Sequence, residues 1–185
     1  MGMPSFPQGP FPDPVWAGVR EMRLGDAWLA RWVDESELPT AVPVSALYAS
    51  VMMDGKGYLT RQKGTTTWQS IEAEAQPGES AELALKRVLK VRMAATPARI
   101  EVMGYLDCRA TSFHPEVPAG SVSVQPIFLV VAKALSNMPS DSEWERRRLP
   151  LNEHIAAIRL RYPQFEGYFA KAVQRYAVMQ ARGEG

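Results

Sequence analysis

Glu72, Glu74, Glu79 and Glu82 lie close together, and Arg87 and Arg92 follow directly after them. Closely spaced carboxylates are what Mg2+ requires, because the ion takes oxygen ligands in tight octahedral geometry. Metal held in this way can offset phosphate charge and activate water. Arginine does the opposite job. Its guanidinium stays protonated and can bind phosphate directly through paired N–H donors. The segment therefore carries residue types that could hold a divalent metal or bind an anion without one. His114 and Glu116 are two further candidates for ligand contact, and Glu116 could join Glu74 and Glu79 in a relocated metal site. No nucleophile stands at a recognisable spacing from His114, which reads as a loop residue, and His154 reads as an ordinary helix-face residue. Arg146-Arg147-Arg148 beside Trp144 could touch nucleic acid or an acidic partner. Asp141, Glu143 and Glu145 offset its charge, so the run reads as a solvated, charge-balanced loop.

The whole chain limits these options. Its 185 residues can bury one good core. An apolar share of 46% argues against disorder throughout. The formal net charge is +1, from 21 basic and 20 acidic side chains, so no broad field gathers nucleic acid. A local basic patch is compatible with that balance. The single cysteine, Cys108, allows no intrachain disulfide and no cysteine-based metal centre. It reads as a partly buried strand residue. No run is long and apolar enough to span a bilayer, and residues 1–14 lack the basic start and apolar stretch of a secretory signal. The cytoplasm is the expected compartment.

The elements that must position the candidates follow from periodicity and punctuation. Pro4, Pro7, Pro10, Pro12 and Pro14 make residues 1–14 an extended or disordered arm, and residues 15–185 are expected to form one domain. Trp28, Leu29, Trp32 and Val33 have helical spacing, so a short helix or a hairpin is expected there. From Val44 the pattern becomes strand-like, with Asp54-Gly55 as a hairpin signal and Lys56-Gly57 lengthening the loop. Residues 80–93 predict a helix capped by Ser80 and stopped by Pro97. Ile100–Leu106 and Val122–Ala134 predict strands joined by a long loop, with Pro126 pointing to an edge, a bulge or a later strand start. Residues 139–150 read as polar loop, and two helical segments close the chain. The expected class is α/β, a mixed β-sheet with flanking helices.

This order of elements, and the segment TTTWQSIEAEAQPGESAELALKRVLKVRMAAT within it, resembles the Nudix hydrolase family. The family signature is Gly-x5-Glu-x7-Arg-Glu-U-x-Glu-Glu-x-Gly-U, where U is a bulky aliphatic residue. Trp68 matches a tryptophan that precedes the signature, Glu79 the first glutamate, Arg87 the arginine and Leu89 the aliphatic position. Ala73 stands at the opening glycine and Ala94-Ala95 at the closing Gly-U. The carboxylates that hold metal in the family fall at 88, 91 and 92, and here those positions are Val88, Val91 and Arg92. Valine offers no ligand atom and arginine opposes a cation.

The resemblance implies a Nudix-like sandwich whose ordinary hydrolytic mechanism has been removed. Trp68, Glu79, Arg87 and Leu89 are then expected to be structural, with Glu79 paired to Arg87. Arg87, Arg92, His114 and Glu116 remain as candidate ligand contacts. No catalytic residue, metal ligand or cofactor is assigned, and Mg2+ enters only if the hydrolase reading holds. Three functions follow in order of expectation: a non-catalytic interaction or assembly module, a sensor of a nucleotide or phosphorylated metabolite, and a divergent hydrolase of nucleoside diphosphate derivatives. The partners expected are a protein or a second copy of the chain, with a nucleotide-like small molecule as a further option and neither membrane nor nucleic acid.

Overall fold

The computed structural model describes residues 21–184. The proline-rich arm at 1–14 lies outside these residues. Eight strands and three α-helices follow one another: β1 Met22–Leu24, β2 Trp28–Val33, β3 Leu47–Met53, β4 Lys56–Gln62, β5 Ile71–Ala73, α1 Ala81–Met93, β6 Ala95–Ala110, β7 Val122–Leu135, β8 Trp144–Pro150, α2 Leu151–Arg161 and α3 Glu166–Ala181. The strands form one mixed sheet in the order β1-β2-β6-β7-β3-β4-β8, with β5 paired beside β3. Only β3 and β7 run parallel among the paired strands; the other pairs are antiparallel.

Both faces of the central strands are apolar because both are covered, the usual reason for continuous rather than alternating apolar runs. One face of β3 presents Leu47, Ala49 and Val51, and one face of β7 presents Phe128, Val130 and Ala132. They pack on Ala84, Leu85, Val88, Leu89 and Met93 of α1. The opposite face, with Leu59, Leu106 and Ile127, packs on Ile158, Tyr162, Phe165 and Phe169. Met52, Leu129 and Val131 meet Ala172, Val173, Tyr176 and Met179 of α3. The result is an α/β sandwich of a mixed sheet between helices.

Several sequence expectations are corrected in detail. Of the two alternatives at Trp28–Val33, the stretch takes the hairpin and not the helix: β2 pairs back on β1 and along its whole length with β6. The β3–β4 loop is only two residues long: Met53 pairs with Lys56, and Asp54 and Gly55 have φ of 50° and 69°. Two positive φ values define the turn that matches strand twist. Helix α1 stops at Ala94, which adopts a left-handed φ of 49°, rather than at Pro97, which lies inside β6. Pro126 lies within central β7, and the ladder to β3 begins at the next residue, Ile127. The 139–150 segment contains β8, which pairs with β4 from Gln62↔Trp144 to Lys56↔Pro150. β5 was hidden in a polar stretch.

Candidate functional site

Helix α1 sets the site. Ser80 caps it by accepting the Leu83 amide at 3.3 Å, as short hydroxyl side chains do at helix starts. With the helix fixed, Leu85 and Leu89 enter the core and Arg87 and Arg92 face a cleft. The cleft lies where β5 and the following loop meet the start of β3 and the end of α2. Its volume is about 1030 Å³.

Arg87 donates its Nε to Glu79 Oε1 at 2.9 Å and its Nη2 to Oε2 at 2.9 Å. The Gln76 amide donates to Oε2 as well. These bonds, first the guanidinium and then the amide, lower the Glu79 pKa to about 2. Arg87 Nη2 also reaches the Glu74 carbonyl at 3.2 Å. Glu79 is thus a brace for the loop before α1.

Arg92 is half-buried. Its Nη1 donates to the Glu72 carbonyl at 2.5 Å, and its guanidinium lies 4.3 Å from the centre of the Trp144 ring. Burial pushes its pKa down, yet the group remains a cation at any ordinary pH. The guanidinium therefore points into the cleft, not to open solvent beside Lys90. Glu72 is a hub. Its carboxylate accepts from the Tyr162 hydroxyl and from Arg161 Nη2 at 3.2 Å. Tyr48 donates to Gln125 Oε1 at 3.2 Å, Gln125 donates to Ser45 Oγ at 3.1 Å, and Ser45 meets Ser123 at 2.8 Å. Burial, helped by the Glu72 charge, raises both the Tyr48 and the Tyr162 hydroxyl pKa. Both stay neutral donors. Trp28, Tyr48, Tyr162 and Phe165 give the cleft its aromatic wall.

The remaining sequence candidates sit elsewhere. His114 and Glu116 do not line this cleft. His114 Nδ1 accepts the amides of Glu116 and Val117, each at 3.1 Å, and its ring meets Trp28 edge-on at 4.6 Å. His114 therefore organises its own loop and touches the cleft only through Trp28. Trp68 borders a neighbouring pocket. Among the described residues, no three His, Cys, Asp or Glu side chains converge to hold a metal ion. Glu74, Glu79 and Glu116 are not brought together. Val88 is buried against the core, Val91 is exposed, and Arg92 brings positive charge. This donor set does not fit Mg2+. His154 is not an ordinary helix-face residue: it is fully buried, and neither ring nitrogen has a hydrogen-bond partner among the described residues. Cys108 is fully buried, and burial raises its thiol pKa.

Comparison with solved structures identifies the architecture. A Listeria monocytogenes protein described as a NUDIX hydrolase superposes with a TM-score of 0.53 at 9% identity, covering 76% of this chain and 96% of that one. A mutant of the Bacillus subtilis pyrophosphohydrolase superposes with a TM-score of 0.51 at 15% identity, covering 66% and 72%. The chain has the Nudix fold. No family model matches the sequence, and no curated protein matches it. Of the three helix positions singled out by the sequence resemblance, Val88 and Arg92 line this cleft, and Val91 is exposed outside it. Among the described residues no helix is long and apolar enough to cross a membrane.

Sequence reasoning reached Arg87, Arg92 and Glu79 because they share one helix and its entry. It missed Tyr48, Gln125, Arg161 and Tyr162 as site residues, since nothing local marks side chains that meet only after the sheet has formed.

Proposed function

We propose that this Nudix-fold domain binds a phosphorylated, ring-bearing metabolite of the nucleotide class and does not hydrolyse it. The observation that carries the reading is Arg92, held between the Glu72 carbonyl and the Trp144 ring at a position where the resembling family carries a metal ligand. Arg87, Arg92 and Arg161 border one cleft, and each guanidinium has more N–H donors than its protein partners use. They can take phosphate oxygens directly. The aromatic wall supplies a surface for a ring, and the Tyr48–Gln125–Ser45 chain supplies oriented polar groups for hydroxyls. A volume of about 1030 Å³ accommodates a ligand of nucleotide size. Hydrolysis would need an activated water, and a guanidinium that stays protonated cannot generate one.

The test is calorimetric titration with ADP, ADP-ribose, dinucleoside polyphosphates and nucleoside triphosphates, with chromatography of the same mixtures. The expected result is binding by at least one compound without product, and a loss of about tenfold or more in Arg92→Ala, the scale of one charge-assisted contact. Turnover that disappears in a folded Glu79 or Glu116 variant would overturn the reading and favour a divergent hydrolase. A second reading, the interaction module, draws support from large apolar side chains left exposed on the helices. Leu160 of α2 is 87% exposed, and Leu83 and Val91 share the outer side of α1. Sedimentation of the wild type beside Leu160→Asp and Leu83→Asp would reveal self-association carried by either surface.

A further inference from the structure

Trp144 borders two cavities. On one side is the cleft described above. On the other is a pocket of about 460 Å³ lined by Lys63, Trp68, Met138, Pro139, Trp144 and Arg146, among others. It opens where β4 ends and β8 begins, between the loops that follow β4 and β7. Arg146 is fixed there, with Nη1 donating to the Met93 carbonyl at 2.6 Å and the Ser136 carbonyl at 3.1 Å. Among the described residues, its other guanidinium nitrogens make no hydrogen bond. The Trp68 ring carries Arg61 at 4.6 Å and Arg147 at 5.8 Å. Among the described residues, Arg61 is the only one of these cations tied to a carboxylate, Glu145, at 2.6 Å, and Lys63 has no ion pair. β8 is the last strand of the sheet order, so no described strand pairs with its outer edge, and Arg147 and Arg148 are exposed along it.

We infer that this edge is a binding site for single-stranded nucleic acid, with one base in the pocket bordered by Trp68 and Trp144 and the phosphates meeting the β8 arginines. Indole rings and a basic track are the two parts such a site needs. A base offers a π-face to an aromatic ring whatever its identity, and the backbone charge is met by lysine and arginine. Five cations, Arg61, Lys63, Arg146, Arg147 and Arg148, outnumber Asp141, Glu143 and Glu145 in this part of the chain. The net charge of the whole chain, +1, conceals that concentration. The pocket admits an unstacked base, whereas a duplex keeps its bases paired inside the helix and presents only backbone to the track. The site is separate from the cleft ligand proposed above and does not rest on that reading.

Fluorescence anisotropy with a labelled oligouridine, over a range of salt concentrations, tests the assignment. Lys63→Glu and Arg147→Glu are surface changes, and thermal melts will show that both variants fold. The expected result is single-strand binding that is tighter than duplex binding, weakened about tenfold or more in each variant, with the salt slope shallower by roughly 0.7 for each phosphate contact removed. Mononucleotide titration of the cleft should be unchanged in both. Equal affinity for duplex, or charge-reversed variants that bind like the wild type, would overturn the inference. So would full displacement of the oligonucleotide by a stoichiometric dinucleoside polyphosphate, since the pocket would then belong to a small two-ring ligand. Arg161→Ala separates the two proposals: it should weaken mononucleotide binding about tenfold, the scale of one charge-assisted contact, and leave the oligonucleotide bound.

Discussion

Glu79 braces the loop that leads into α1. Three N–H donors converge on its carboxylate, two from Arg87 and one from the Gln76 amide. A carboxylate so held has a folded pKa below its unfolded one, so its contribution to stability is complete above the unfolded pKa, about 4.3, and is lost as pH falls towards about 2. Glu79→Gln, which cannot accept the same paired bonds, should lower the melting temperature by a few degrees at neutral pH. The gap to wild type should close by pH 2. Melts across that range check both statements, and an unchanged melt with lost Mg2+ binding would show that Glu79 is a metal ligand. His154 has the opposite charge logic. Burial alone lowers its pKa to about 4, so the folded state holds it neutral. The unfolded chain takes up the proton first, near pH 6.5. Stability should therefore be level above that pH and fall by about 3 kcal/mol as pH drops from 6.5 to 4, at roughly 1.4 kcal/mol per pH unit. His154→Leu should flatten this part of the profile in urea melts. A wild-type profile already flat between pH 4 and 7 would rule the assignment out.

At the level of elements, two glycines fix how strands meet their neighbours. Gly104 sits at the bulge in β6 with φ of 144°, and a Cβ there would lie 2.2 Å from Trp32 Cζ2 and 2.7 Å from the Val33 carbonyl. Trp32 cannot retreat, because it stacks on Tyr168 of α3 at 4.0 Å. Gly104→Ala should destabilise by more than about 3 kcal/mol, combining strain with overpacking, or prevent folding. Gly57 has ordinary φ, but a Cβ there would come within 2.3 Å of the His154 ring. Gly57→Ala should be destabilising in the wild type and tolerated better when His154 is Ala. A double-mutant cycle from denaturant melts measures that coupling, and strictly additive effects would refute it. Neither contact was legible in the sequence, where both glycines look like turn or strand residues. The elements with strong local signals were legible: Asp54-Gly55 between apolar runs, Ser80 before an apolar helical stripe, and the apolar β7. Those lost were β5 and β8. Glu72 and the Glu145–Arg148 run are polar because they lie at cleft or sheet edge, so the alternation that marks a half-buried strand is weak. Pro126 misled for a related reason: its missing N–H is accommodated where β7 has left the Val44–Val124 bridge and not yet begun its ladder with β3.

At the level of the whole molecule, the chain has the Nudix fold, and α1 turns Val88 into the core, Val91 to solvent and Arg92 into the cleft. The helix's own residues could be read directly, since Val88, Val91 and Arg92 are neighbours in sequence. The rest of the cleft could not, because Tyr48, Glu72, Gln125, Trp144, Arg161 and Tyr162 come from five separate strands, helices or their ends. The assembled cleft predicts a specific dependence on metal. A carboxylate site binds a diphosphate through the ion, so chelation removes affinity and Mg2+ restores it. An arginine site binds the phosphate itself, so Mg2+ only competes for the ligand, and screening by salt weakens the contact. The cleft ligand should therefore raise the melting temperature equally in EDTA and in its absence. Added Mg2+ should leave that shift unchanged or reduce it, and raised NaCl should shrink it. Thermal shift with ADP-ribose or ADP in these four conditions is sufficient, with Arg92→Ala as the variant in which the shift disappears. A shift that requires Mg2+ and is lost in EDTA would mean that carboxylates outside the usual positions carry an ion after all. Glu72 would then be the first to change, because its side chain already enters the cleft, and Glu72→Gln should abolish the Mg2+ effect. If the arginines carry the phosphate, the same variant should instead tighten binding, since it frees Arg161 from its competing carboxylate.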